Sequence, residues 1–168
     1  MASNKQSAGL LMFSGDIGSL RFLIAHPGGP IFVNKDDGYW GIPKGQFDDD
    51  EPALDAAKRE FEEETGMKPE ADEYIPLGSV VLKSGKTVHA WAFRGDWEEG
   101  RIPESNIFSL EWPPKTGKYV DVPEIDKAVM ADYAIAEQKM RPEQLAFVQR
   151  LINYLTEQQK LDPDQGDR

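Results

Sequence analysis

Apolar residues fall along this chain in short runs, and the period of the runs changes part-way. Ser7 to Phe13 is an apolar stretch with a small-residue start, which predicts a strand. A turn at Gly15–Gly18 separates it from Arg21 to Ala25, a second strand buried on at least one side. HPGGP at 26–30 breaks that strand, and Ile31 to Val33 resumes extended structure before the turn NKDDG. Gly38 to Gly45 reads as a loop stiffened by Pro43. Ile75–Leu82 and Thr87–Phe93 flank a turn at Lys83–Lys86 and predict a β-hairpin. Ile107 to Trp112 is a further strand, and PPKTGKY at 113–119 a loop.

Helical period takes over in three places. Glu51 to about Thr65 carries one apolar stripe at Leu54, Ala57 and Phe61. Asp50 or Glu51 is its cap, Pro52 suits its first turn, and Gly66 is its stop. Ile125 to about Ala136 reads as a second helix. Pro142 to Leu155 is a third, with an amphipathic face of Leu145, Val148, Leu151, Ile152 and Leu155. Residues 159–168 form a polar tail predicted to be disordered, which leaves one domain at 1–158. Strands and helices in mixed order predict an α/β sandwich.

Charge narrows the partners. A net charge of −11 repels duplex nucleic acid and anionic lipid, and it repels an anionic substrate unless cations intervene. No apolar run approaches the roughly 20 residues of a membrane span, and the first residues lack the pattern of a signal peptide. With no cysteine, disulfides and thiolate metal sites are excluded, and the expected location is the cytoplasm.

The chemistry concentrates at residues 45–67, GQFDDDEPALDAAKREFEEETGM. They fit G-x5-E-x7-R-E-U-x-E-E-x-G-U, with U a bulky apolar residue, at Gly45, Glu51, Arg59, Glu60, Phe61, Glu63, Glu64, Gly66 and Met67. At ordinary residue frequencies the seven fixed positions agree by chance on the order of once in 10^8 starts, so this is a specific signal. On a helix, Glu63 and Glu64 follow Glu60 by three and four positions, so the three carboxylates share one face. Carboxylate oxygens suit a hard divalent cation, and a solvated charged face is the alternative that the flanking pattern argues against.

This pattern resembles the box of the Nudix hydrolase family. The resemblance implies an α/β/α sandwich around a mixed β-sheet, and hydrolysis of a nucleoside diphosphate linked to another group. It also implies that Glu60, Glu63 and Glu64 hold Mg2+ or Mn2+, with the Gly45 carbonyl as a further ligand. Arg59 in the family pairs with box carboxylates and orients them, although its fork also suits phosphate; Glu51 is likewise an orienting partner. Lys44 either steadies phosphate charge or is a solvated lysine. The W-x-x-P-K-G run at 40–45, together with Lys86-Thr87-Val88 and Trp91, is similar to Nudix enzymes of dinucleoside polyphosphates such as diadenosine tetraphosphate. Nucleoside triphosphates, oxidised ones included, are the second substrate class, with nucleotide sugars and dinucleotide cofactors after them. A non-catalytic nucleotide-binding module is the rival function; under either reading the expected state is a monomer or homodimer.

Some members of the family use a downstream glutamate as general base. Aligning Trp112 with the tryptophan of that region puts the position on Asn106, which cannot serve. Glu63 or Glu64 is therefore the expected base, with Glu104 in reserve; Glu104 and Glu111 both require a shifted loop. Tyr39, Trp40, Phe32 and Trp91 are candidates for stacking on a nucleobase or for core positions. His26 and His89 show no metal-ligand spacing and read as hydrogen-bonded structural residues.

Overall fold

The two almost wholly apolar strands lie at the centre of the structure, a computed structural model that describes residues 5–161. Eight strands and three helices follow one another: β1 (Gln6–Ser14), β2 (Arg21–Pro27), β3 (Lys44–Gln46), α1 (Ala53–Thr65), β4 (Ile75–Val81), β5 (Thr87–Arg94), β6 (Ile107–Glu111), β7 (Tyr119–Pro123), β8 (Ile125–Ala131), α2 (Tyr133–Lys139) and α3 (Pro142–Leu161). The main sheet runs β4-β5-β1-β2-β8, with β3 also paired to β1. β1 and β5 are parallel and the other pairs antiparallel, so the sheet is mixed.

Alternation along β1 builds both cores. Ala8, Leu10 and Met12 pack with Ala56, Ala57 and Phe61 of α1. Leu11 and Phe13 pack on the opposite side with Phe147, Val148 and Leu151 of α3. Burial on both faces explains why β1 reads as a continuous apolar run. The result is the expected α/β/α sandwich, with α1 on one face and α2 and α3 on the other. β6 and β7 form a separate two-stranded hairpin.

Several boundaries differ from the sequence reading. The segment expected as one helix from Ile125 to Ala136 is β8 followed by α2, which Asp132 caps by accepting from the Ile135 amide at 2.9 Å. The buried residues of β8 are Ile125, Ala128 and Ala131. That spacing of three imitates a helix because the strand is buried on both faces: Ala128 packs with the α1-side cluster and Ala131 with the α3-side one. Ile31 to Val33 is turn rather than extended chain, closed by the Phe32 amide on the Gly29 carbonyl. The first helix starts at Ala53; Pro52 stands at its N-cap with no side-chain bond, so neither Asp50 nor Glu51 caps it. Its buried stripe includes Ala56, while Leu54 is only partly covered. The 38–45 loop ends in β3, and PPKTGKY is the turn of a hairpin whose second strand, β7, begins at Tyr119. Residues 159–161 continue α3; the remainder of the expected tail lies outside the described residues.

Candidate active site

The box assembles where α1 passes β3. Gly45 pairs with Ala8 across the sheet, and a Cβ on Gly45 would lie 2.0–2.4 Å from the Glu60 carboxyl atoms. Only glycine lets the strand and the carboxylate approach so closely. Arg59 then gathers the outer carboxylates. Its Nε and Nη2 donate to the two oxygens of Glu51, each at 3.0 Å, and Nη1 donates to Glu60 at 2.8 Å. Contacts to Glu63 are longer, 3.3 and 3.4 Å. The fork on Glu51, reinforced by Glu60, holds the guanidinium pKa above its ordinary value, and the same bonds hold Glu51 below the usual carboxylate range.

The three glutamates do not share one environment. Glu64 is 7% exposed and accepts from the Lys44 amide at 2.9 Å. Burial, aided by the nearby charge of Glu60, pushes its carboxyl up to about 8. Burial also raises Glu60, against the pull of Arg59. The Glu63 side chain is 42% exposed. Among the described residues no three acidic or histidine side chains converge as a ready-made metal cage: Glu60 and Glu63 turn to Arg59, and Glu64 to the Lys44 amide.

Glu64 opens inward onto a cleft of about 200 Å3, lined also by Tyr39, Lys44, Glu124, Arg141 and Gln144. Burial and the like charges of Lys86 and Arg141 lower the Lys44 ammonium pKa. Glu124 is half-buried and its carboxyl is raised by that burial, with Lys44 pulling the other way. Its backbone is fixed at both ends: its amide donates to the Asn106 carbonyl at 3.0 Å, and its carbonyl accepts from the Gly28 amide at 3.1 Å. Asn106 in turn donates its amide to the Glu63 carbonyl at 2.8 Å, and Glu104 donates to Thr65 at 3.0 Å. The 104–106 strap thus ties the end of α1 to the start of β8 and satisfies carbonyls that the helix leaves open. Gln144 anchors the opposite wall by accepting from the Ile42 amide at 2.9 Å.

Glu51, Arg59, Glu60, Glu63, Glu64, Gly45, Lys44 and Tyr39 are therefore neighbours, but other candidates stand elsewhere. Trp40 is buried in the α3-side core, with its indole nitrogen on Asp36 at 2.8 Å and its ring 5.2 Å from His26, so no base can stack on it. Trp91 packs against the α1-side cluster and does not line the cleft. Glu104 and Glu111 do not line it either; Glu111 accepts from the Lys115 amide instead. His26 contacts Asp126 and the Lys35 carbonyl, and His89 contacts Gln6. Sequence reasoning missed Glu124 and Arg141. An acidic residue directly before a strand was the available signal for Glu124, and reading β8 as helix concealed it.

The sequence profile of the NUDIX domain matches residues 5–150. The chain belongs to this family. The activity that goes with a Nudix domain whose box is unbroken is hydrolysis of a phosphoanhydride bond. Solved structures agree on the fold. An Ap4A hydrolase from C. elegans is 18% identical, with a TM-score of 0.62 over 89% of this chain and 98% of that one. The NUDIX domain of Shewanella oneidensis NrtR, solved with ADP ribose, is 13% identical, with a TM-score of 0.63 over 92% and 90%. A mutT/nudix family protein from Listeria innocua is 16% identical, with a TM-score of 0.58 over 96% and 99%. No curated protein matches the sequence. Among the described residues of this Nudix domain, no helix is long and apolar enough to cross a membrane.

Proposed function

We propose that this Nudix domain hydrolyses nucleoside polyphosphates with the help of Mg2+ or Mn2+, and that a dinucleoside polyphosphate such as diadenosine tetraphosphate is its foremost substrate. One observation carries the reading: two carboxylates, Glu64 and Glu124, and two cations, Lys44 and Arg141, line one cleft. A phosphoanhydride brings negative charge for the cations and needs a water that a carboxylate deprotonates.

Glu60, Glu63, Glu64 and the Gly45 carbonyl would hold the metal ion. The donors fit it, being hard oxygens, and Glu60 and Glu64, raised mainly by burial, are carboxylates whose charged form a cation would stabilise. Glu63 turns toward an ion at least cost, because its contacts to Arg59 are the longest. When bound, such an ion polarises the phosphoryl oxygens and offsets their charge. Arg59, held by Glu51, keeps Glu60 in place. Glu124 takes a proton from the attacking water as the water oxygen bonds to phosphorus. The bond from phosphorus to the bridging oxygen breaks, and the leaving phosphate departs with the electron pair. A carboxyl raised by burial is a stronger base than an ordinary carboxylate, and Lys44 lines the same cleft, where its ammonium would face the developing charge. Two phosphorylated products result.

The test is a chromatographic product screen with Mg2+ over diadenosine tetraphosphate, ATP, 8-oxo-dGTP and ADP-ribose. Metal-dependent cleavage, greatest on the dinucleoside, is expected. Glu63→Gln and Glu64→Gln should each slow it by about a thousandfold, since several kcal/mol of charge stabilisation is lost. Turnover at the parent's rate in both variants would sink the mechanism. Greatest cleavage of a nucleoside triphosphate would favour the second substrate class. Tight binding without products would favour the rival reading, a non-catalytic nucleotide-binding module.

A further inference from the structure

Arg141 stands out among the charges that line the cleft. Its guanidinium carbon lies 5.3 Å from the centroid of the Tyr39 ring. Among the described residues it has no carboxylate within salt-bridge distance and its side chain makes no hydrogen bond, in a protein with thirty acidic residues. Its main chain, by contrast, is held firmly. The Arg141 amide donates to the Trp40 carbonyl at 2.9 Å, and its carbonyl accepts from the Gln144 and Leu145 amides at 3.0 and 3.1 Å, at the start of α3. Tyr39 is steadied too: Phe32 lies 6.3 Å from its ring, and the Lys35 ammonium 5.8 Å from its centroid. A guanidinium held over an aromatic ring leaves its N–H donors free for a ligand and loses less freedom when it binds.

We infer that Arg141, positioned by Tyr39, forms a phosphate-binding subsite for the part of the substrate that the box carboxylates do not hold. Its ligand class is a phosphate or polyphosphate group, which the planar fork grips through two oxygens. The arrangement also gives Tyr39 a task other than base stacking: its ring already carries cations. The subsite selects for substrates with a phosphate beyond the scissile bond, and it rests on the hydrolase reading for that consequence alone.

Binding of inorganic tripolyphosphate in the presence of EDTA isolates this subsite, because carboxylates without a metal repel the anion. Calorimetric titration should show the parent binding tripolyphosphate with an affinity that falls as salt rises. Arg141→Ala should bind about tenfold to hundredfold more weakly, the range for losing charge-assisted hydrogen bonds. Arg141→Lys should recover part of the loss, and Tyr39→Leu should weaken binding while Arg141 is still present. Thermal unfolding of each variant separates these effects from misfolding. In turnover, Arg141→Ala should raise KM with little change in kcat. Equal tripolyphosphate affinity in the parent and Arg141→Ala, or no binding by the parent at millimolar anion, overturns the inference. A parent that hydrolyses nothing in the substrate screen overturns the hydrolase reading instead, and leaves the titration as valid a test of Arg141 as before.

Discussion

The outer face of α1 and the cleft behind it carry similar charges in opposite condition. On the outer face the charges are paired within the protein, three carboxylates to one cation: Arg59 is shared by Glu51, Glu60 and Glu63 at 2.8–3.4 Å. In the cleft, Lys44, Glu64, Glu124 and Arg141 line one space, and among the described residues none of the four forms a salt bridge. Paired charges hold one another in position, as Arg59 does for the carboxylates proposed to hold the metal ion. Charges left unmatched and partly desolvated are poised for a ligand, and the shifted pKa values of Lys44, Glu64 and Glu124 mark the place where chemistry is expected. Glu51, lowered by Arg59, and Glu64, raised to about 8 by burial, are the two extremes of that contrast.

The largest effect should come from removing the cleft carboxylate proposed as base. Glu124→Gln keeps the shape, and with it the backbone bonds to Asn106 and Gly28, but cannot accept a proton. Loss of general-base catalysis should lower kcat by about 10^2- to 10^4-fold. The acid limb of the pH–rate profile that reports this group should disappear, while KM changes little. A profile unchanged in shape would return the role of base to a box glutamate.

Arg59 breaks the comparison from the other side. In Arg59→Ala the partly buried Glu60 loses its cation and Glu63 its tether. Because the arginine side chain is itself 39% exposed, the expected loss of stability is modest, about 1–2 kcal/mol. Activity should fall about a hundredfold through kcat, as the carboxylates lose their orientation. Excess Mg2+ should restore part of both by supplying positive charge among the same carboxylates. The contrast with Arg141→Ala is the informative part: one arginine should act on stability and kcat, the other on KM. Identical effects of the two would erase the distinction between an arginine that positions carboxylates and one that binds ligand.

The same contrast explains what the sequence disclosed. The outer face is local: Arg59 reaches residues eight before, one after and four after it, and the helical period plus the box specify those neighbours. Central strands were equally legible, because burial on both faces leaves a continuous apolar run in β1. The cleft is assembled from distant segments. Tyr39 meets Arg141 across 102 positions of the chain, and Glu124 reaches Lys44 only because β8 pairs with β2 and the 104–106 strap ties it to α1. The three-residue burial period of β8 hid that pairing. Nor does a helical wheel distinguish the exposed Glu63 from the buried Glu64; that difference depends on where β3 places the Lys44 amide.

Acid–base linkage is read on stability rather than on turnover, and it tests whether Glu64 is as desolvated as its position implies. Its folded pKa of about 8 lies above the ordinary 4.5. Between those values the folded chain keeps a proton that the unfolded chain has shed, so protonation stabilises the fold. The contribution is complete below the unfolded value and is lost as pH rises through the folded one. Metal-free protein should therefore melt at progressively lower temperature from about pH 5 to about pH 8, by roughly 2–4 °C for each kcal/mol lost. Glu60 and Glu124, raised in the same direction, steepen the fall. Glu64→Gln, which carries no charge at either end of the range, should flatten the slope while the remainder due to Glu60 and Glu124 persists. Added Mg2+ should raise the melting temperature more at pH 8 than at pH 5, because an ion must displace the proton to use the carboxylate. A melting curve of the metal-free protein that is independent of pH, and unaffected by Glu64→Gln, would place Glu64 with the paired charges of the outer face.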